Sequence, residues 1–314
     1  MEEALYSDLG FFNTDQVRSD KEGDFLTSPE VSKYFGKIIR NWIHSESNLK
    51  NIIEIGSGTG SLIEQIGIKE ITAVELSSTA REELIKKGIN THTTIDELTT
   101  KTSDLIFGNE ILDNIPCSIG LYKDEGWYEK VVLLEENSLA YGLRPIRNEE
   151  LDWISKNNIV PNEDYEFEIQ VNIDKFLNSV IKKINPEKIL LFDYGYEQKN
   201  RDKRMYSSLL RTYKNHHLSV DPIDDPGNID ITYDVNFSSI SSELKYLGYD
   251  VTLKLQRDFL LDNGFNIFFD ELQEKYIAAE GIEKLKINSE LNGMKAIVDS
   301  NGLGGFYCLI AEKL

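Results

Sequence analysis

The chain has 314 residues, 40% of them hydrophobic, enough to build the core of one large domain or two ordinary ones. Thirty-four Lys and Arg stand against 54 Asp and Glu, a formal net charge of −20. Such a surface repels phosphate backbones and argues against nucleic-acid binding, while it would draw in a cationic Arg or Lys side chain. Solubility alone accounts for much of a charge of this size. Cys117 and Cys308 lie far apart, without the number of a disulfide framework or the paired spacing of a zinc site, so an intracellular, metal-free protein is expected. Met1-Glu2-Glu3 lacks the basic and apolar regions of a signal peptide, and no apolar run approaches a membrane span, which places the protein in the cytoplasm as an expectation.

In chain order, residues 51–55 form a short apolar run ending on glycines, the pattern of a buried parallel strand, and a helix follows from about Gly60 to Ile66. Ile71–Leu76 reads as a second strand. Ser77 or Ser78 caps a helix that runs through Arg81-Glu82-Glu83-Leu84 and stops at Gly88. Strands near Thr91–Thr94 and at Asp104–Phe107 continue the alternation, which predicts a doubly wound, Rossmann-like α/β sheet. Leu121–Lys123 and Trp127–Leu134 flank Asp124-Glu125-Gly126 as a β-hairpin, followed by helices at 149–156 and 171–184. Residues 117–185 therefore read as an insertion subdomain, between core segments 49–116 and 186–314, with 1–48 packing on the cofactor site. The sheet resumes at Lys188–Asp193, Asp250–Leu255 and Gly305–Ile310, with helices at about 236–247, 256–263 and 268–299. Residues 195–235 read as one long polar loop, and a loop of that length in a compact domain points to function.

The chemistry concentrates at the first strand. Gly56, Gly58 and Gly60 permit a tight turn and a close backbone approach to a nucleotide-like cofactor, and Glu75 at the end of the second strand is placed to accept hydrogen bonds from ribose hydroxyls, with Leu76 beside it. A dinucleotide fingerprint would require Gly or Ala at position 61, where Ser61 stands. The loop instead reads Glu-x-Gly-x-Gly-x-Gly from Glu54, the version that binds S-adenosyl-L-methionine, in which the acid supports the loop or the methionine moiety. Asp96 is placed for adenine recognition, and equally for capping a helix at Glu97-Leu98.

Further segments resemble one family, the bacterial MidA-like and mitochondrial complex I assembly factor 7 methyltransferases. The resemblance begins at Gly23-Asp24-Phe25-Leu26-Thr27-Ser28-Pro29-Glu30-Val31-Ser32 and returns at Gly108-Asn109-Glu110-Ile111-Leu112-Asp113-Asn114-Ile115-Pro116 and at Leu191-Phe192-Asp193-Tyr194-Gly195-Tyr196. It continues through Leu210-Arg211-Thr212-Tyr213, His217, Asp221-Pro222, the run Asp225–Phe237 and Gln256–Leu261. The loop's Gly-Ser-Gly, Arg257 and the 117–185 segment depart from the family pattern. The resemblance implies a class I methyltransferase fold, S-adenosyl-L-methionine as cofactor, Thr27 and Ser28 in a lid beside that cofactor, and protein arginine methylation by analogy.

Methyl transfer from a sulfonium requires alignment of the nucleophile and exclusion of water, with no metal. Glu110 and Asp113 follow the fourth strand, and their spacing puts both on one face if a helix starts there, so they are the candidate clamp for a substrate guanidinium. A first-turn helix acid and a solvated surface acid are the plainer readings of the two. Asn109 is a candidate to hold the substrate or the amino-acid end of the cofactor. His217 and Asp230 are candidates for closing the substrate pocket, with a turn-stabilising Asp as the alternative. A protein substrate is the expected partner, with no nucleic acid and no membrane, and a homodimer is left open. The competing functions are a cofactor-binding assembly or chaperone-like factor with little catalysis and a small-molecule methyltransferase.

Overall fold

The computed structural model describes residues 1–13, 27–46, 49–136, 138–201, 210–214, 217–218 and 221–314. They group into two compact units. One comprises Met1–Asp15, Ile111–Lys182 and Gly195–Gly248, the other Gln16–Glu110, Lys183–Tyr194 and Tyr249–Leu314. The division differs from the boundaries read from the sequence, because residues 195–248 group with the insertion and the helix Tyr34–Ser45 belongs to the unit that holds the sheet.

That sheet has seven strands, numbered here along the chain: β1 Ile52–Ile55, β2 Thr72–Val74, β3 Asn90–His92, β4 Ser103–Asn109, β5 Pro186–Asp193, β6 Tyr249–Leu255 and β7 Tyr307–Lys313. Their order is β6-β7-β5-β4-β1-β2-β3. The five strands β1 to β5 run parallel, and β7 is antiparallel to both its neighbours. Consecutive residues of β4 (Leu105, Ile106, Phe107) and β5 (Ile189, Leu190, Leu191, Phe192) are buried, as a parallel sheet covered on both faces requires. Phe35 of the helix Tyr34–Ser45 and Phe259 of the helix Gln256–Asp262 each meet Phe192 edge-on at 5.2 Å, and Trp42 packs on Phe259. Such aromatic contacts add to the burial that holds these helices on the sheet.

The helix expected over 268–299 is two, Phe265–Ala278 and Gly281–Val298, broken where Gly281 takes a φ of 57°. No helix among the described residues is long and apolar enough to cross a membrane.

In the other unit the expected hairpin is present, its turn made by Asp124 (φ 49°) and Glu125 (φ 59°), the left-handed pair that matches strand twist. It belongs to a four-stranded antiparallel sheet in the order Ser138–Pro145, Gly126–Glu135, Ser118–Lys123, Tyr165–Ile169. The helix Asn148–Lys156 buries Trp153 and Ile154 with Phe167 and Ile169. The stretch read as a long polar loop, 195–235, instead holds strands among its described residues: Leu210–Lys214 pairs with His217–Leu218 and Asp230–Tyr233, and Gly195–Tyr196 with Val235–Asn236.

Candidate functional site

The strand order reverses at β1, since the chain passes from β1 outward to β3 and then returns to β4 on the other side. A crevice forms outside the carboxyl ends of the strands at such a switch point. Three strand ends of one unit supply it: the loop after β1, Glu75 after β2, and Asn109-Glu110 at the end of β4.

The loop has little freedom. Gly56, Gly58 and Gly60 take φ values of 70°, 50° and 83°, conformations that side chains with a Cβ rarely adopt. The Gly56 N–H donates to Val74 O at 2.8 Å and the Gly60 N–H to Ser57 O at 2.9 Å. Glu75 accepts the Gly58 N–H at 2.8 Å on Oε2 and the Ser77 N–H at 2.7 Å on Oε1. Burial raises its pKa, and the Ser77 and Gly58 amides and Arg81 pull it back. Arg81 donates through Nη1 to the main-chain carbonyls of Glu75 (2.9 Å) and Leu76, so this strand end is fixed from below while the Leu76 side chain stays exposed.

Among the described residues, two acceptors in the same unit lack donors. Glu54 is buried, and its Oε2 has no hydrogen-bond partner there; the buried Asn109 Oδ1 has none there either. Glu54 is paired with Phe107 across β1 and β4, so Asn109, two residues further on, shares its face of the sheet. Burial pushes the Glu54 carboxyl well above the ordinary carboxylate range; the Ser57 hydroxyl opposes this and the Glu75 charge adds to it. Orphaned buried acceptors of this kind suit a bound group that brings its own donors, such as an ammonium.

Beyond Asn109 the chain turns sharply. The Glu110 N–H donates to Phe192 O at 2.8 Å, extending the β4–β5 ladder, and its φ of 52° lies in the left-handed region. Strain of this sort at a strand end is characteristic of functional positions. Glu110 Oε1 accepts the Asn109 amide at 2.9 Å and the Ser28 N–H at 3.4 Å, which brings three expected site residues together. Thr27 precedes the short helix Ser28–Val31 and donates its N–H to Glu30 Oε2 at 3.0 Å. Sequence reasoning assigned no role to Gln256, fully buried, which accepts the Ser28 hydroxyl at 3.2 Å and donates to Ile297 O at 3.0 Å. Its membership in the Gln256–Leu261 motif was the available signal.

Some expectations fall differently. No helix starts at Glu110; residues 112–115 form a turn, so the helical face shared by Glu110 and Asp113 is absent, and the two residues belong to different units. Asp113 is buried there, and the adjacent Asn114 donates to Asp230 Oδ1 at 3.1 Å and Ile231 O at 3.2 Å, while the Tyr233 hydroxyl donates to Leu112 O and Ile115 O. Asp230 is buried in a strand rather than stabilising a turn; that part is played by Asp225, whose Oδ1 accepts the Asn228 amide at 2.9 Å. The His217 side chain lies outside the described residues. Asp96 is exposed within a 3-10 turn whose cap position is Thr94, and its carbonyl accepts Lys183 Nζ at 2.9 Å.

A doubly wound sheet with a glycine loop after its first strand and a carboxylate ending its second defines an α/β enzyme that binds a nucleoside-bearing cofactor at its carboxyl edge. Residues 36–252 match the family described as S-adenosyl-L-methionine-dependent methyltransferase, and the chain belongs to that family. Its cofactor is S-adenosyl-L-methionine. Among curated relatives it is similar to the protein arginine methyltransferase NDUFAF7 homolog, mitochondrial, of Caenorhabditis elegans, 25% identical over 81% of this chain and 68% of that protein. It is also similar to the protein arginine methyltransferase NDUFAF7, mitochondrial, of Danio rerio, 25% identical over 85% of this chain and 72% of that one. A crystal structure of a protein from Burkholderia thailandensis bound to S-adenosyl-homocysteine shares the fold with a TM-score of 0.86 at 22% identity, covering 100% of this chain and 86% of that one. The cytoplasmic location expected from the sequence is withdrawn, because these curated relatives are named as mitochondrial proteins.

Proposed function

We propose that the methyl acceptor is a protein side chain, the guanidinium of an arginine, and that Glu110 holds it. The carrying observation is the Glu110 turn: a left-handed backbone at the end of β4, with the carboxylate fixed by the Asn109 amide and the Ser28 N–H. A carboxylate held this way can take a guanidinium bidentately and keep its charge away from the attacking nitrogen. The net charge of −20 favours approach of a cationic segment, and the curated relatives are named protein arginine methyltransferases.

On this reading Glu75 binds the cofactor's ribose, the Gly56–Gly60 loop lets backbone lie against it, and Glu54 and Asn109 Oδ1 take its ammonium. The bound cofactor supplies a sulfonium methyl for in-line displacement. The chain's own part is to align the nucleophile and exclude water. Glu110→Gln preserves shape and removes the charge, so cofactor affinity should hold while methyl transfer to an arginine peptide falls roughly 100-fold or more. Normal turnover by Glu110→Gln would return this acid to a purely structural role, and loss of cofactor binding would move it into the cofactor site.

A further inference from the structure

The main-chain N–H that reaches the Glu110 carboxylate belongs to Ser28, 82 residues earlier in the chain, so the place of that acid depends on how firmly the earlier segment is held. Ser28–Val31 is a helix of four residues, too short to keep its position by itself. Tertiary bonds must fix it. Gln65 Nε2 donates to Pro29 O at 2.6 Å, while Gln65 Oε1 accepts the Gly36 N–H at 3.2 Å. The helix Gly281–Val298 comes so near that a Cβ on Gly293 would lie 2.5 Å from Val31 O. These contacts hold the segment at Pro29 and Val31; the Ser28 side chain is held by Gln256. All of these residues belong to the unit that contains the seven-stranded sheet.

The Gln256 amide has one way to sit. Its Nε2 donates at 3.0 Å to Ile297 O, a carbonyl in the last turn of the helix Gly281–Val298, and a carbonyl only accepts. Oε1 therefore faces Ser28, whose hydroxyl is the donor at 3.2 Å. The main chain is fixed too, since the Gln256 N–H donates to Phe306 O at 2.7 Å. Ser28 and Gln256 are both fully buried, so bulk water does not make good the loss of their bond. Ser28 thus commits its hydroxyl to Gln256 and its N–H to Glu110 Oε1, the oxygen that also accepts the Asn109 amide. The geometry points to Gln256 as a positioning residue that sets, through Ser28, where the Glu110 carboxylate stands, an inference that rests on the reading of Glu110 as the guanidinium clamp. Misplacing such a group by about 1 Å is enough to slow a reaction.

Ser28→Ala removes the hydroxyl with little change of volume, and Gln256→Met keeps the length of the side chain without its polar atoms. The full chain is given labelled S-adenosyl-L-methionine and a pool of arginine-containing peptides. In each variant kcat should fall roughly 10-fold, and the double variant should be no slower than Gln256→Met, because both break one link. Cofactor affinity, by calorimetry, should stay within about twofold of the wild type. In a Glu110→Gln background Ser28→Ala should have no further effect, since there is no charge left to place; a residue that only supports the fold would slow both backgrounds alike. Amide hydrogen exchange over residues 28–32 reads the link without turnover, and Gln256→Met should speed it. Normal turnover by Ser28→Ala beside a slow Glu110→Gln, effects that multiply in the double variant, cofactor affinity that falls together with kcat, or unchanged exchange would each overturn the inference alone. Normal turnover by Glu110→Gln, or no transfer by the wild type, would overturn the reading of Glu110 and the inference with it.

Discussion

Glu75 braces Gly58: the carboxylate that ends β2 accepts the loop's amide at 2.8 Å, so an acid of the second strand holds the glycine turn that follows the first. Glu75→Ala removes the brace together with the acceptor proposed for the cofactor's ribose. S-adenosyl-L-methionine affinity should fall by about 2–4 kcal/mol, measured by calorimetry. Unchanged binding would detach Glu75 from the cofactor.

Glu54 gives the free protein a pH signature. Its raised pKa means that the unfolded chain ionises first, so its contribution to stability is present at low pH and is lost as pH rises through the raised value. Glu54→Gln should flatten the decline in stability above about pH 5. If an ammonium docks against the carboxylate, binding should also release a proton, visible as a binding enthalpy that varies with buffer in the wild type and not in the variant. Identical pH profiles for the two proteins would contradict this.

Gly60 is constrained twice over. It has a φ of 83°, and a Cβ there would lie 2.6 Å from Leu84 Cδ2 and 3.0 Å from Ile89 Cδ1. Backbone strain and overpacking together should make Gly60→Ala cost about 2–4 kcal/mol in thermal or urea unfolding. A change below half of that would show that the loop gives way easily.

In the other unit, burial raises Asp174 to about 6; Lys156 at 3.2 Å lowers it and Glu243 adds to the rise. A raised acid stabilises the protein below its ordinary pKa and loses that contribution as pH climbs through the folded value. Asp174→Asn should therefore change little near pH 4 and stabilise by about 1–2 kcal/mol at pH 8, allowing for the lost contact with Lys156. Urea titrations at the two pH values give the comparison, and destabilisation at pH 8 would make the Lys156 pair the dominant interaction.

The cofactor half of the molecule was legible because its signals are local. Apolar runs stop on glycines at 56–60, and an acid stands at the end of the next strand, which is all that β1, its loop and β2 need. The run 229–235 was harder to read: Ile229, Ile231, Tyr233 and Val235 alternate as a strand should, but Asp230, Thr232 and Asp234 on the other face are buried as well, so the segment looked like polar loop. Asn114, which holds Asp230, is a contact across 116 residues that no local pattern encodes. The Glu110 turn failed as a helix start for a similar reason. Its left-handed backbone is set by the ladder bond to Phe192, a tertiary constraint that overrides the acid's preference for a first turn.

The position of β7 sets a schedule for synthesis. Tyr307–Lys313 lies between β5 and β6, so the outer edge of β5 has no neighbour until residues 307–313 leave the ribosome. The interval from Asp193 to Tyr307 is 307 − 193 = 114 residues, roughly 6–23 s of translation at ordinary rates. During that time an apolar strand edge is open to any chain that offers a matching strand, which makes the nascent protein a client for holding chaperones and makes interrupted translation products prone to aggregate.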